Sequence, residues 1–309
     1  MKLPHIEFPK EKIKLNRIYT NNKILDKWAS NIKIPKKISE VYGSIYFPNS
    51  LGHRPYVYSS IVLTMDGKLG FNNGLKSTLI SKGNKGDPYG GLADLWMVNL
   101  LRTYSDGVVL GTRTLNVEEN ISGHVYDLDL VKARGDILNK KPIPWNIIIS
   151  RRGRMIPFDH VLFERKEIPI CIMTTGEGFK YIKENINRSY IKVLAGEGNI
   201  QSTIDKRKNE VIIIVSGDNY KIDIKKGMKA LKDMGIDNLA VESPTIFYYL
   251  MEEKLLDEAF VNYSGLYAGG NLALGNNIPF TSENHPEVDI LSIHIHRSNF
   301  IYTRQKFRY

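Results

Sequence analysis

The feature that most constrains this chain is a series of short, unbroken apolar runs rich in β-branched residues. They are RPYVYSSIVLT (54–64), DGVVLG (106–111), NIIIS (146–150), PICIMTT (169–175), VIIIVS (211–216), NLAVE (238–242) and DEAFVNYS (257–264). Runs of this length, bounded by turn residues, read as buried strands. A shorter strand is expected at Ile191–Leu194. Helical spacing falls between several of them. Leu92, Leu95 and Trp96, then Met97, Leu100 and Leu101, share a face, and Lys225–Met234 is amphipathic with Gly235 placed to end it. Pro244 suits the first turn of another helix running to about Lys254. Strands alternating with helices through most of 54–264 predict an α/β sheet with helices on both faces. VDILSIHIHR and NFIYTRQKF have no helix between them, so a mostly parallel central sheet with an antiparallel C-terminal edge is expected. Residues 72–91 read as a long loop, and 176–210 read as polar.

Charge placement separates the ends from the body. The net charge is +10, of which residues 1–50 carry +6 and residues 297–309 carry +4, so 51–296 is neutral. A protein built for nucleic acid carries a basic face on its folded body. Here the basic ends read as solvated termini, with weak steering of anions or nucleic acid as the alternative. Residues 1–50 are expected to be a basic extension, with one short helix at 23–32, and 51–309 a single domain. No run approaches 18 apolar residues, so no membrane span is predicted. The start lacks the apolar core of a secretory signal, and Cys171 is the one cysteine, which excludes an internal disulfide and a thiolate zinc cage. A cytoplasmic location is expected.

In open α/β sheets, ligands bind beyond the carboxyl ends of the strands. At those ends lie Thr64, Asp66, Gly67 and Lys68; Gly111, Thr112, Arg113 and Thr114; Ser150, Arg151 and Arg152; Glu242, Ser243 and Thr245; and Gly269 and Gly270. Glycine lets a ligand approach the backbone, helix starts offer free N–H groups, and arginine pairs with phosphate in two-pronged fashion. Any one group has a structural reading as a strand end, helix start or turn. Their recurrence at one edge favours a phosphate-bearing ligand. Asp66, Asp106 and Glu242 are the candidate acids, with Asp106 expected to start its strand. Neither a G-x-G-x-x-G after the first strand nor a G-x-x-x-x-G-K-[ST] is present. His294 and His296 share a strand face without an evident third ligand, so no metal site is predicted.

These residues resemble a known family. TMDGKLG (64–70) is similar to the S-x-D-G-R/K-I/L element of the reductase domain of riboflavin biosynthesis. LLRTYSDGVVLGTRTL (100–115) resembles its LRA-x-x-DAI-x-x-G-x-x-T-V stretch, and 231–270 resembles its G-I-x-x-L-x-V-E-G-G-P to G-G region. The resemblance spans roughly 54–270 and implies a dihydrofolate-reductase-like three-layer fold. It also implies an NADPH-dependent reductase that reduces the ribosyl group of a ribosylaminopyrimidine phosphate to ribityl, commonly as a homodimer. On that resemblance Thr64, Gly111, Thr112, Arg113, Thr114, Ser150, Arg151, Ser243, Thr245, Gly269 and Gly270 would touch the cofactor. Asp66, Lys68 and Arg102 would face the substrate, with Arg102 on its phosphate, and Asp66 and Glu242 would be catalytic. The family's E-G-G-P loop is Glu242-Ser243-Pro244-Thr245 here, which leaves the substrate open. One cysteine cannot supply the family's zinc deaminase partner. A non-catalytic nucleotide-binding module of the same fold is the alternative.

Overall fold

The structure is a computed structural model and describes residues 3–29, 33–48, 51–73, 76, 78–197, 200, 209–275 and 280–309. Among these residues eleven strands join in one sheet. They are β1 (Asn16–Thr20), β2 (Tyr56–Thr64), β3 (Gly107–Leu110), β4 (Trp145–Ile149), β5 (Ile170–Thr174), β6 (Tyr190–Leu194), β7 (Val211–Val215), β8 (Asn238–Glu242), β9 (Glu258–Ser264), β10 (Glu287–His296) and β11 (Phe300–Arg308). Their order across the sheet is β1-β10-β11-β9-β2-β8-β3-β4-β5-β7-β6. From β9 to β6 all neighbours are parallel. At the other edge β11, β10 and β1 are antiparallel. The expected strand runs, the parallel centre and the antiparallel C-terminal edge are all present.

Side chains alternate across the sheet, so it feeds two cores. On one face Tyr58, Val108, Leu110 and Ile148 pack with Trp96, Leu100 and Leu101 of the Gly90–Tyr104 helix. On the other, Val57, Val109, Ile147 and Met173 pack with Met228 and Leu231 of the Ile224–Asp233 helix and with Phe247 and Leu250 of the Pro244–Glu252 helix. Both faces are covered, which explains why the parallel strands read as continuous apolar runs. Asp106 precedes β3 as expected and accepts the backbone N–H groups of Asp237 and Asn238 at 3.1 and 2.9 Å, tying the starts of β3 and β8 together.

The amino-terminal segment corrects the expectation of an extension. Phe8, Ile13, Leu15, Ile38, Val41, Tyr42, Ile45 and Phe47 are buried in the same core as Trp96. β1 adds to the sheet beside β10, and Tyr42 stacks on His294 at 4.1 Å between ring centroids. The apolar residues are scattered among lysines with no period of their own. Their place is set by the antiparallel strands they cover, which periodicity does not register. The helix expected at 23–32 is one turn, Asn22–Leu25, and residues 30–32 lie outside the described residues. His294 and His296 are both buried beneath this segment. His296 bonds to Asp87 and to the Lys12 carbonyl, and burial, then the Arg17 charge, pushes His294 down to about 3. The Leu128–Asp136 and Gly176–Asn185 helices were not foreseen. Both are short and mostly polar, and their starts are set by the side-chain caps Asp127 and Thr175.

Candidate functional site

Strand register builds a cleft at the carboxyl edge of the parallel sheet. Ser59 of β2 is level with Val241 of β8, yet β2 runs on to Thr64 beside Ser264 of β9. Glu242 ends β8 level with Leu110 of β3. The pair β2–β9 therefore overhangs β8 and β3 by roughly four residues, about 13 Å at about 3.3 Å per residue. The overhang forms a wall, and the ends of β8, β3 and β4 form the floor beside it.

Asp66 ties the wall together. The buried Thr64 hydroxyl donates to Asp66 and accepts the Lys68 N–H at 2.9 Å. Across the wall, Asp66 Oδ1 accepts the Ala268 N–H at 3.1 Å and Oδ2 accepts the Gly269 N–H at 2.7 Å. The Thr64 hydroxyl first, then these two N–H groups, lower the Asp66 pKa to about 2. Asp66 is thus a fixed anion that anchors the loop after β9. Gly269 and Gly270 follow at φ +64° and +70°, successive left-handed positions that side-chain-bearing residues resist. Lys68 is half-buried on the same wall and pairs by its backbone with Ala273.

On the floor, Glu242 is held by Arg102. Arg102 Nε donates to Oε1 at 2.7 Å and Nη2 to Oε2 at 2.6 Å. Ser243 caps the Pro244–Glu252 helix, its Oγ accepting the Ile246 N–H at 3.4 Å. A Cβ at Gly111 would lie 3.2 Å from Ser243 Oγ and 3.5 Å from Thr114 Oγ1, so the ends of β3 and β8 sit side by side. Thr112 and Thr114 are half-exposed; Arg113 and Thr245 are exposed.

Beyond the floor lies a cationic loop. Ser150 Oγ accepts the Gly153 N–H at 3.2 Å, and the turn leaves Arg151, Arg152 and Arg154 exposed. Thr175 Oγ1 accepts the Gly178 N–H at 3.0 Å and donates to the Arg151 carbonyl at 2.8 Å. A Cβ at Gly178 would come within 2.4 Å of that carbonyl, so the close approach requires glycine. Thr175 and Gly178 shape the arginine loop and were missed in the sequence. Their signal was Thr175-Gly176-Glu177-Gly178 directly after a strand, within a stretch that reads as merely polar.

Three of the expected site residues have side chains already bonded within the fold. Arg102 is 2 % exposed, and besides Glu242 its Nη1 serves the carbonyls of Ser122 and His124 at 3.0 and 2.8 Å. These bonds take four of its five N–H donors. The Thr64 hydroxyl is buried and bonded to Asp66 and Lys68, so it shapes the wall. The Ser243 side chain is buried in its cap. Among the described residues no group of three or more His, Cys, Asp or Glu could hold a metal ion.

The cleft-lining segments all fall within one recognisable stretch. The family model for the RibD C-terminal domain matches residues 55–274. The chain belongs to the RibD C-terminal domain family. The matched span takes in every segment of the wall, floor and cationic loop. Solved structures of similar fold include a pyrimidine reductase-like protein from Corynebacterium diphtheriae, at TM-score 0.57 and 15% identity over 88% of this chain and 98% of that one. Acinetobacter baumannii RibD aligns at TM-score 0.53 and 16% identity over 84% of this chain and 59% of that one. The Thermotoga maritima diaminohydroxyphosphoribosylaminopyrimidine deaminase/5-amino-6-(5-phosphoribosylamino)uracil reductase aligns at TM-score 0.54 and 14% identity, over 82% and 56%. The chain thus spans under two thirds of the two latter proteins. No curated protein matches. These structures share the expected α/β fold, with a mostly parallel sheet and an antiparallel edge. Among the described residues no helix is long and apolar enough to cross a membrane.

Proposed function

We propose that this chain is an NADPH-dependent reductase that transfers hydride to the ribosyl carbon of a ribosylaminopyrimidine phosphate. The carrying observation is the split of charge along one sheet edge. Exposed Arg113, Arg151, Arg152 and Arg154 lie past β3 and β4, and the carboxylates of Asp66 and Glu242 lie at the wall and its foot. The donor set fits a dinucleotide with several phosphates, because guanidinium groups pair with phosphate in two-pronged fashion. Arg151 and Ser150 would take the adenosine 2′-phosphate. Gly111, Thr112, Arg113 and Thr114 would border the linking phosphates, with Thr245, Gly269 and Gly270 beside the nicotinamide half. The bound nicotinamide supplies the hydride, and the chain's part is to orient the partners.

Reduction of ribosyl to ribityl adds one hydride and one proton. Asp66, with its pKa near 2, is ionised at neutral pH and accepts hydrogen bonds from substrate without delivering that proton. Both oxygens of Glu242 are held by the Arg102 fork. On this reading solvent provides the proton, while the two carboxylates and Lys68 fix the polar groups of the substrate. A homodimer belongs to the same proposal and is checked by light scattering.

Titration with NADPH and NADH tests the reading. Arg151→Ala is expected to weaken NADPH roughly ten-fold or more, since a charge-assisted contact contributes about 1.5–3 kcal/mol. NADH should change less than about three-fold. Equal weakening of both refutes the 2′-phosphate assignment. Binding of NADPH without turnover of any ribosylaminopyrimidine phosphate would favour a nucleotide-binding module.

A further inference from the structure

We propose that Asp94 and Asn262 form a binding subsite on the wall of the cleft, which takes adjacent N–H groups of an amino-substituted pyrimidine ring. The inference deepens the reductase reading by placing the base of its substrate, and it rests on that reading for its turnover assay. Asp94 lies eight residues before Arg102 on the Gly90–Tyr104 helix, about 12 Å at about 1.5 Å per residue. A helix that joins two parallel strands runs back against them, so its amino-terminal half stands at the carboxyl edge of the sheet. Asp94 therefore stands beside the overhanging wall, while Arg102 meets the floor. Asn262 of β9 is level with Val62 of β2, beyond the last β2–β8 pair at Ser59 and Val241. Ser60 and Val62 are half-buried where β8 stops, on the sheet face that Tyr58 and Phe260 turn toward this helix, so the cleft opens one strand from Asn262.

The pair is built to accept. Asn262 Nδ2 donates to Asp94 Oδ1 at 2.8 Å. The opposite amide orientation would set two acceptors against each other while Asp94 is ionised. Asn262 Oδ1 is left buried with no partner, and so is the hydroxyl of Tyr302, which β11 holds level with Asn262. Among the described residues the Asn262 amide and the Ser81 hydroxyl offset the burial of Asp94, and no cation does. Burial therefore raises the Asp94 pKa to about 6, and the carboxylate weakens the fold at neutral pH. Ser264 Oγ donates to the Ile80 carbonyl at 2.8 Å and seats the Leu79–Lys82 turn on the end of the wall, and Asp94 keeps 9 % exposure. A destabilising carboxylate beside a buried oxygen that lacks a donor is an environment prepared for N–H groups from a ligand. A 5-amino-6-ribosylaminopyrimidine carries two such groups on neighbouring ring atoms, the amino group and the ribosylamino N–H, one for each acceptor.

Asp94→Asn tests this, because it keeps the shape of the side chain while removing a charged acceptor. KM for the ribosylaminopyrimidine phosphate should rise ten-fold or more, with kcat and NADPH affinity within three-fold of wild type. A KM within three-fold of wild type overturns the proposal and reduces the pair to the seat of a buried water. Calorimetry with free bases needs no turnover. Wild type should bind 5,6-diaminouracil at least ten-fold tighter than 1,3-dimethyluracil, which has no N–H, and Asp94→Asn should narrow that preference to within three-fold. Equal binding of the two bases by wild type, binding of neither, or a preference kept in Asp94→Asn overturns the proposal. Should Asp94→Asn not fold, Asn262→Val removes the unpartnered oxygen and should narrow the same preference, and a preference kept there overturns it equally. Selective binding of 5,6-diaminouracil without turnover would leave the subsite standing and remove the reductase reading. Turnover with an unchanged KM in Asp94→Asn would do the reverse.

Discussion

Phe47→Ala measures how far the amino-terminal segment belongs to the core. Phe47 is 9% exposed. Its ring stacks on Tyr58 at 4.7 Å and meets Tyr104 at 5.3 Å, Phe260 at 6.3 Å and Tyr56 at 6.4 Å. The Arg304 guanidinium lies over it at 4.9 Å. Truncating a phenylalanine in such a setting costs about 3–5 kcal/mol, because the ring's burial is lost and a cavity remains between partners anchored on three strands and a helix. That is a large fraction of the roughly 5–15 kcal/mol that holds a domain together. A chain of this length loses about 2 °C of Tm per kcal/mol, so the expected drop is roughly 6–10 °C. Urea unfolding followed by fluorescence gives the free energy, and scanning calorimetry gives Tm. Ile18→Ala on β1, 60% exposed, is the control and should stay within about 0.5 kcal/mol. If Phe47→Ala also stays within about 0.5 kcal/mol, the segment is an appendage and the core assignment is wrong.

Two further outcomes follow from other parts of the fold. Burial holds Asp94 up at about 6, and burial lowers His124 to about 4 and His294 to about 3. The folded chain then keeps the Asp94 proton between about pH 4 and 6, where the unfolded chain has lost it, so this carboxyl destabilises as pH rises through that window. The histidines act oppositely, because the unfolded chain takes up protons below about pH 6.5 that the folded chain refuses. Asp94→Asn should therefore gain stability relative to wild type from about pH 4 to above 6, read from urea midpoints, and a flat or falling difference refutes the assignment. Gly178→Ala should lower Tm and weaken NADPH binding together, although alanine ordinarily favours a helix by about 1 kcal/mol over glycine. Its Cβ would meet the Arg151 carbonyl and the Thr174 hydroxyl, and a neutral result in both thermal shift and NADPH fluorescence would disprove that contact.

Much of the fold was legible because it depends on near neighbours. A run such as VIIIV needs only its own side chains to predict a strand covered on both faces, and Ser243-Pro244 marks a helix start from adjacent residues alone. The same locality made the strand ends readable as one edge of the sheet, since parallel strands joined by helices must all point the same way. The Thr175 cap was equally local but hidden, because the helix it starts has few apolar residues to set a period.

The sequence by itself thus determined the strands, the parallel centre of the sheet and the family. Tertiary structure decided the rest. Arg102 and Glu242 are 140 positions apart, and only the packing of a helix against β8 brings the guanidinium onto the carboxylate. The Thr64 hydroxyl bonds to Asp66 and Lys68, and Asp66 also takes two N–H groups from a loop some 200 residues away. The apolar residues from Phe8 to Phe47 carry no pattern that shows their burial, because they match a surface made by other parts of the chain and not one another. The wall of the cleft exists only in the register between β2 and β8. Register is set by how whole faces pack, and no stretch of sequence contains that information on its own.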